Sequence, residues 1–495
     1  MCKYILGIDQ STQGTKALIF DECGNIIARS DIAHEQIIND LGWVEHNPIE
    51  IKNNIIKVVK AVVDKAKIDK SQIVGVGISN QRETAMMWDK ITGKPLYNAI
   101  VWQCARGVKI CEHIKKSGFA KKIKAVTGLN LSPYFSAAKL AWIVENVEGV
   151  KEKVENNEIC CGTMDSWIVY CLTGKESYKT DYSNASRTQL FDLKTLTWND
   201  EICRLFNLYS FNMPQVCNSN DVYGYTDFEG LFDKKIPINA VMGDSHAALF
   251  GQYCHNKGEV KSTYGTGSSI MMNIGTKPIY SEKGLVTSIA WGFNGKVNYV
   301  LEGNINYTGA VITWLKDDLQ LIKSPVETQD LAKKANPQDT SYLVPAFTGL
   351  SAPYWDSNVK AVLTGMTRVT GKNEIVRASL DSIAYQIADV VNLMKKEANL
   401  TIKSLKTDGG PTRNSYLMQF QSDILDIEID VSDVEELSAC GVAYMAGISL
   451  KLYDKDNLAT IIKRKKYKSN MTEEIRNKLY QGWKKAIEET LNCHK

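Results

Sequence analysis

Residues 7–16, GIDQSTQGTK, separate two apolar runs, Tyr4–Leu6 and Ala17–Phe20, so an acid, hydroxyls and a glycine occupy the bend of an expected β-hairpin. Such a bend can cradle phosphate. Gly14 is expected to take the positive φ that turns successive backbone N–H groups outward, and Ser11, Thr12 and Thr15 add hydroxyl donors. Asp9 stands where a divalent cation would bridge carboxylate to phosphate. The same composition also makes an ordinary polar turn, so this stretch alone does not decide between the two. A second segment of the same kind, TYGTGSSIMMNIG at 263–275, lies just past the middle of the chain and again runs into strand-like alternation. Two cradles imply two halves that face one nucleotide.

The chain has 495 residues, 44% hydrophobic and 23% charged, which is the profile of a globular protein with two domains and excludes disordered and collagen-like classes. Its formal charge of +3, from 59 basic and 56 acidic residues, gives no field to favour nucleic acid or a membrane surface. The basic run Lys463–Lys466 therefore reads as a solvated surface stretch. Twelve cysteines without CxxC or zinc-like spacing read as reduced thiols of a cytoplasmic protein. No uncharged stretch reaches the roughly 18 residues needed to cross a bilayer, so membrane insertion is not expected.

Asn47-Pro48-Ile49-Glu50 combines a helix N-cap, a first-turn proline and a capping-box acid. Apolar residues then recur at Ile51, Ile55, Val58, Val59, Val62 and Ala66, one face of an amphipathic helix. A strand-like run, Ile73–Ile78, follows and ends abruptly in Asn80-Gln81-Arg82-Glu83-Thr84. Polar residues at the carboxyl end of a buried strand are where open α/β sheets place ligands. The pattern recurs at Ile238–Met242 before Gly243-Asp244-Ser245-His246, and at Leu405–Thr407 before Asp408-Gly409-Gly410. Val260–Asn273 and Trp291–Leu301 read as strands with a turn at Asn294-Gly295, and a long helix is expected over Glu374–Lys396. The expected organisation is an N-terminal domain over 1–250 and a C-terminal domain over 251–495, closely packed around a cleft. The two cradles hint at an internal duplication.

GWVEHNP at 42–48, NQRET at 80–84, NAIVWQC at 98–104, DYSNASRT at 181–188, PAFTGL with APYWD at 345–356 and LMQFQSDIL at 417–425 occur in order along the chain. In these motifs the chain, from about Ile5 to Gly447, resembles the glycerol kinases of the FGGY carbohydrate-kinase family. The resemblance implies an α/β protein of two ribonuclease H-like, actin-like ATPase domains that close on ATP, Mg²⁺ and a polyol or sugar. It further implies transfer of the γ-phosphoryl group to a terminal hydroxyl, and an oligomer, dimer or tetramer. Carried onto this sequence, Asp244 is the expected catalytic base and, with Asp9, a Mg²⁺ ligand. Arg82 and Glu83 would grip substrate hydroxyls, with Trp102 and Tyr134 as wall and rim. Ser11, Thr12, Gln13 and Lys16 of the first loop and Thr266 and Gly267 of the second would meet the phosphates. Gly309, Gly410 and Asn414 fall where the family encloses adenosine.

The match departs from the glycerol kinases at informative places. Those enzymes usually carry Gln after the catalytic Asp and Phe in the second phosphate segment, both polyol contacts, whereas this chain has Ser245 and Ser269. Two serines remove volume and an apolar wall, which leaves room for a tetritol, erythrulose, xylulose or ribulose as the alternative to glycerol. The first loop reads STQGTK where glycerol kinases more often have GTTSSR, an exchange that main-chain cradling would survive. DFEGLFDKK at 227–235 lacks the glycine-rich loop and the histidine through which some relatives are controlled, so neither control is expected. An actin-like ATPase switch with no small-molecule acceptor would use the same cradles. It would not need a hydroxyl-gripping Arg82–Glu83 pair.

Overall fold

The computed structural model describes residues 2–492 and is organised by two mixed sheets. The first sheet is built from β1 (Tyr4–Gln10), β2 (Gly14–Phe20), β3 (Ile26–Ala33), β4 (Ile73–Asn80), β5 (Gly224–Thr226) and β6 (Ile236–Gly243), in the order β5-β6-β4-β1-β2-β3. The second comprises β7 (Val260–Tyr264), β8 (Ser268–Gly275), β9 (Val286–Phe293), β10 (Lys296–Ile305), β11 (Ser404–Asp408), β12 (Glu428–Ser432) and β13 (Arg464–Tyr467), in the order β9-β10-β8-β7-β11-β12-β13.

The two sheets repeat one plan. In each, the leading strand (β1 or β7) pairs antiparallel with the next strand of its own hairpin on one side and parallel with a later strand on the other. A second parallel strand follows, β6 or β12, and an antiparallel strand closes that edge. Parallel strands aligned in this way bring the carboxyl ends of β1, β4 and β6, and of β7 and β11, to the same side of their sheets. The duplication that the two cradles hinted at is thus visible in topology, although the sequences of the halves have little in common.

Helices cover the sheets and follow from their apolar spacing. α1 (Pro48–Ala66) starts at Asn47, whose side chain accepts from the N–H groups of Ile49 and Glu50, and it buries Ile51, Ile55, Val58, Val59, Val62 and Val63 against the first sheet. The expected capping box is not formed, because Glu50 Oε1 instead accepts the N–H of Glu35 at 3.1 Å. α2 (Ser136–Asn146) packs within a satellite core beside the first sheet, and α3 (Asp244–Gly251) begins where β6 ends. α4 (Lys372–Ala398) is the long predicted helix, and α5 (Ser415–Leu425) lies against it in the core of the second sheet.

The last of these helices, α6 (Leu437–Ser449), leaves the second half of the chain and packs on α3 and the first sheet. Leu437, Val442 and Met445 share a buried core with Ile5, Phe20, Met242 and Leu249. Two glycines allow this approach: a Cβ on Gly77 would lie 2.3 Å from the Val442 carbonyl oxygen, and one on Gly441 would lie 1.9 Å from that of Ala247. No helix among the described residues is long and apolar enough to cross a membrane.

Two further expectations are corrected. Gly14 does not adopt a positive φ. It opens β2, and glycine is required because a Cβ would lie 2.7 Å from the Ile32 carbonyl oxygen of the adjacent strand. The basic run at 463–466 is not simply solvated: it includes the start of edge strand β13, where Arg464 donates to the Gln252 side chain at 2.6 Å and to its carbonyl at 2.9 Å.

Candidate active site

The carboxyl ends of the parallel strands bring Asp9, Asp244 and Asp408 to the wall of one cleft of about 200 Å³, which Lys16, Ser245 and Glu436 also line. Asp9, near the end of β1, accepts the Ser79 hydroxyl at 2.6 Å. Burial raises its pKa to about 6; Ser79 and Lys16 lower it, and the nearby carboxylates Asp244 and Glu436 add to the rise. Asp408, at the end of β11, is likewise pushed up by burial, against Lys261 and hydrogen bonds from Gln252 (3.1 Å) and Thr263 (3.0 Å). The cleft thus gathers several acids, of which Glu436 pairs with Lys16 and Arg29 and Asp244 lies against Arg82.

Beside it lies a chain of buried ion pairs. Asp244 opens α3 with Oδ1 accepting the Ser245 N–H at 2.6 Å and lying 3.2 Å from Arg82 Nε. Both terminal nitrogens of Arg82 donate to Glu302, each at 2.9 Å, a bidentate grip that fixes the guanidinium plane. Glu302 sits on β10 in the second sheet and is fully buried. Arg187 Nη1 lies 2.9 Å from Glu302 Oε2, an oxygen it shares with Arg82, while Arg187 Nε donates to Glu83 at 2.5 Å. Burial would raise the pKa of Glu302, but Arg187 and Arg82 outweigh it and hold the carboxyl well below the usual range. Five charged groups, three acids and two arginines, therefore run Glu83–Arg187–Glu302–Arg82–Asp244 across the two halves.

Glu83 is held in a left-handed conformation, φ 59°, that non-glycine residues avoid. Its carbonyl accepts the Ser136 hydroxyl at 3.0 Å and its carboxylate is clamped by Arg187, so the surroundings over-determine the strained backbone. Trp102 and Tyr134 meet edge to face, centroids 5.5 Å apart, and Trp102 Nε1 donates to Thr12 Oγ1 at 2.9 Å. A second, larger cavity of about 760 Å³ lies between the short helix Gly309–Thr313, α4 and α5, with Ile312, Val326, Leu380 and Leu417 among its apolar walls and Gly410 and Asn414 at its edge.

The N-terminal domain model of the FGGY family of carbohydrate kinases matches residues 4–251, and the C-terminal domain model of that family matches 260–450. The chain belongs to this family. It is a kinase with an alcohol acceptor. It is 48% identical to glycerol kinase 1 of Thermotoga maritima over 490 residues, 99% of each chain, and 45% identical to glycerol kinase 2 of the same organism over 495 residues, 100% of each. The crystal structure of Plasmodium falciparum glycerol kinase with ADP superposes with a TM-score of 0.93 at 36% identity, covering 99% of this chain and 98% of that one. The two-domain, actin-like α/β architecture expected from the motifs is the one observed.

Within this kinase the residues singled out from sequence fall into three groups. Asp9, Ser11, Lys16, Asp244 and Ser245 share the acidic cleft. Arg82 and Glu83 join the buried ion chain, next to the aromatic pair Trp102 and Tyr134, whereas Gly309, Gly410 and Asn414 line the apolar cavity. Some first-loop side chains are already engaged: Ser11 Oγ donates to the Gly14 carbonyl at 2.9 Å, and Lys16 pairs with Glu436 at 2.7 Å. Gln13 is exposed and lines neither cavity.

Thr266 and Gly267 form the turn of the second hairpin, docked through its backbone on the start of the short helix: Gly309 N–H donates to the Gly265 carbonyl at 2.9 Å. Ser269 lies on β8 with a buried hydroxyl that has no hydrogen-bond partner. Sequence reasoning did not single out Glu302 or Lys261, and it placed Arg187 and Asp408 within their motifs without assigning them a role. For Glu302 a signal existed, a lone acid inside the otherwise strand-like YVLEGN at 299–304.

Proposed function

We propose that this kinase transfers the γ-phosphoryl group of ATP to a terminal hydroxyl of a short polyol, with glycerol as the principal acceptor. The observation that carries the reading is the buried ion chain ending at Asp244, at the mouth of a cleft lined by Asp9 and Asp408. Asp244 accepts the acceptor's hydroxyl proton as its oxygen attacks the γ-phosphorus; the bond to the β-bridging oxygen breaks and ADP leaves. Arg82, held flat by Glu302, keeps the Asp244 carboxylate oriented. Arg82 and Glu83 also supply the donor and acceptor that a diol requires, against the wall made by Trp102 and Tyr134.

The apolar cavity takes the adenosine, where Gly309 and Gly410 admit close backbone approach and Asn414 offers an amide. The two hairpin turns, with Ser11, Thr12, Gln13, Lys16, Thr266 and Gly267, face the phosphates. Residues 1–250 and 251–495 act as the two clamping domains, a division supported by the repeated sheet plan.

The acidic cleft suits Mg²⁺, because the carboxylate oxygens of Asp9 and Asp244 that line it are the donors a hard cation takes. Among the described residues no group of three or more His, Cys, Asp or Glu side chains is spaced to hold a metal alone. Asp9 and Asp244 would hold it together with the nucleotide. Bound there, it would neutralise the charge on the β- and γ-phosphates.

Ser245 and Ser269 favour a second reading, in which the acceptor is longer than glycerol, since the Ser269 hydroxyl is buried without a partner. Steady-state kinetics with glycerol, erythritol, erythrulose, xylulose and ribulose, with the products identified, separate the two. The highest kcat/KM for glycerol supports the first reading, and the highest for one of the others supports the second. ADP release indifferent to all five would contradict both and favour an ATPase switch.

A further inference from the structure

We infer that Lys139 is a positioning residue for the acceptor pocket, its ammonium pinning the backbone that carries Tyr134. The inference rests on the reading of Tyr134 as a wall of that pocket. Lys139 lies in the first turns of α2 and is fully buried, a rare place for a lysine. Its partners are carbonyls and not a carboxylate: Nζ donates to the oxygens of Pro133 at 2.7 Å, Tyr134 at 2.5 Å and Phe135 at 3.2 Å. All three ammonium protons are thereby used on three successive residues of one loop.

This arrangement is costly. A cation near a helix N-terminus opposes the helix dipole, and burial lowers the pKa of Lys139 to about 7, against upward contributions from Glu83, Cys104 and Cys111 and a further downward one from Arg106. A methionine would fill the same space without that cost, so packing alone does not account for an ammonium here.

The same helix end gathers the rest of the pocket. Ser136 Oγ donates to the carbonyl of Glu83 at 3.0 Å, and the Ala137 N–H donates to the carbonyl of Thr188 at 2.9 Å. Arg187, the preceding residue, stands over the Phe135 ring at 5.1 Å while clamping Glu83. One helix start therefore sets the strained turn at Glu83, the Arg187 clamp and the Tyr134 loop relative to one another, and Lys139 supplies the loop's share.

The test is a double-mutant cycle with Lys139→Met and Tyr134→Ala, read as KM for the best acceptor of the panel, KM for ATP and melting temperature. Lys139→Met should raise the acceptor KM by at least about tenfold, because small misplacements of a pocket wall are expensive, and leave the ATP KM within about twofold. In the Tyr134→Ala background the same substitution should change the acceptor KM by less than about twofold, since what it positions is gone.

A lowered melting temperature with both KM values unchanged, or an equal effect in both backgrounds, would overturn the inference. Tyr134→Ala without effect on the acceptor KM would remove the pocket reading itself, and the inference with it. If Lys139→Met does not fold, Lys139→Gln retains two amide donors and should give an intermediate acceptor KM; a wild-type value there overturns the proposal.

Discussion

The two sites that the proposed function assigns to acceptor and nucleotide are built from opposite materials. At the proposed acceptor site, Glu83, Arg187, Glu302 and Arg82 are buried and hold one another through short charge-assisted contacts that cross between the two sheets. At the proposed nucleotide site, the wall is apolar side chains and glycine backbone around a cavity of about 760 Å³, and the charged residues there, Lys316, Asp317 and Arg413, are exposed. The contrast follows from what each site must do. An acceptor of a few carbons offers only hydroxyls, so its site must present donors and acceptors at fixed angles. An adenosine offers a large flat surface, which an apolar slot binds without fixed charges.

Breaking the charged site should have the largest effect. Glu302→Gln leaves Arg82 and Arg187 buried with half their compensation, which should cost about 3–5 kcal/mol of stability, measured by denaturant unfolding, along with most of the activity. The pH dependence gives a sharper form of the same test. The carboxyl of Glu302 has a folded-state pKa depressed below its unfolded value of about 4.3, so its contribution is present above that pH and is lost as the pH falls further. The wild type should therefore lose stability more steeply than Glu302→Gln on acidification below about pH 4.3. Parallel acid limbs for the two proteins would mean that the ion chain does not carry the predicted linkage.

Glycine beside the proposed nucleotide site should matter next. Gly409 has φ 100°, and a Cβ there would lie 2.0 Å from the Tyr264 carbonyl oxygen. Gly409→Ala should destabilise the protein by about 1–3 kcal/mol, from strain and overpacking, and raise the ATP KM more than the acceptor KM. Equal changes in both would erase the distinction between the two sites. The smallest effect is expected at Val326, which lines the cavity of about 760 Å³ but is 83% exposed. Val326→Ala should move the ATP KM by less than about threefold and stability by less than about 0.5 kcal/mol.

Much of this architecture was legible in the sequence because it depends on local signals. The two hairpins follow from apolar runs flanking polar bends, and α1 from an N-cap with apolar spacing, so each was readable without knowing its neighbours. The same is true of Arg82, Glu83 and Asp244, which stand in short motifs at strand ends. What was not legible depends on partners distant in the chain. Gly14 was credited with a turn conformation, whereas its neighbour Ile32, on another strand, is what excludes a side chain. Glu50 was assigned to a capping box, but the loop at Glu35 offers a competing N–H. Glu302 gains its partners, Arg82 and Arg187, only when the two halves pack together.

The proposed mechanism has the buried ion chain present Asp244 as the base for phosphoryl transfer. It is tested most directly by the turnover number of Asp244→Asn at saturating ATP and acceptor, in protein shown by thermal melting to be folded. The kcat should fall about 10²–10⁴-fold with the ATP KM little changed. Turnover within about threefold of wild type in the folded variant would contradict it.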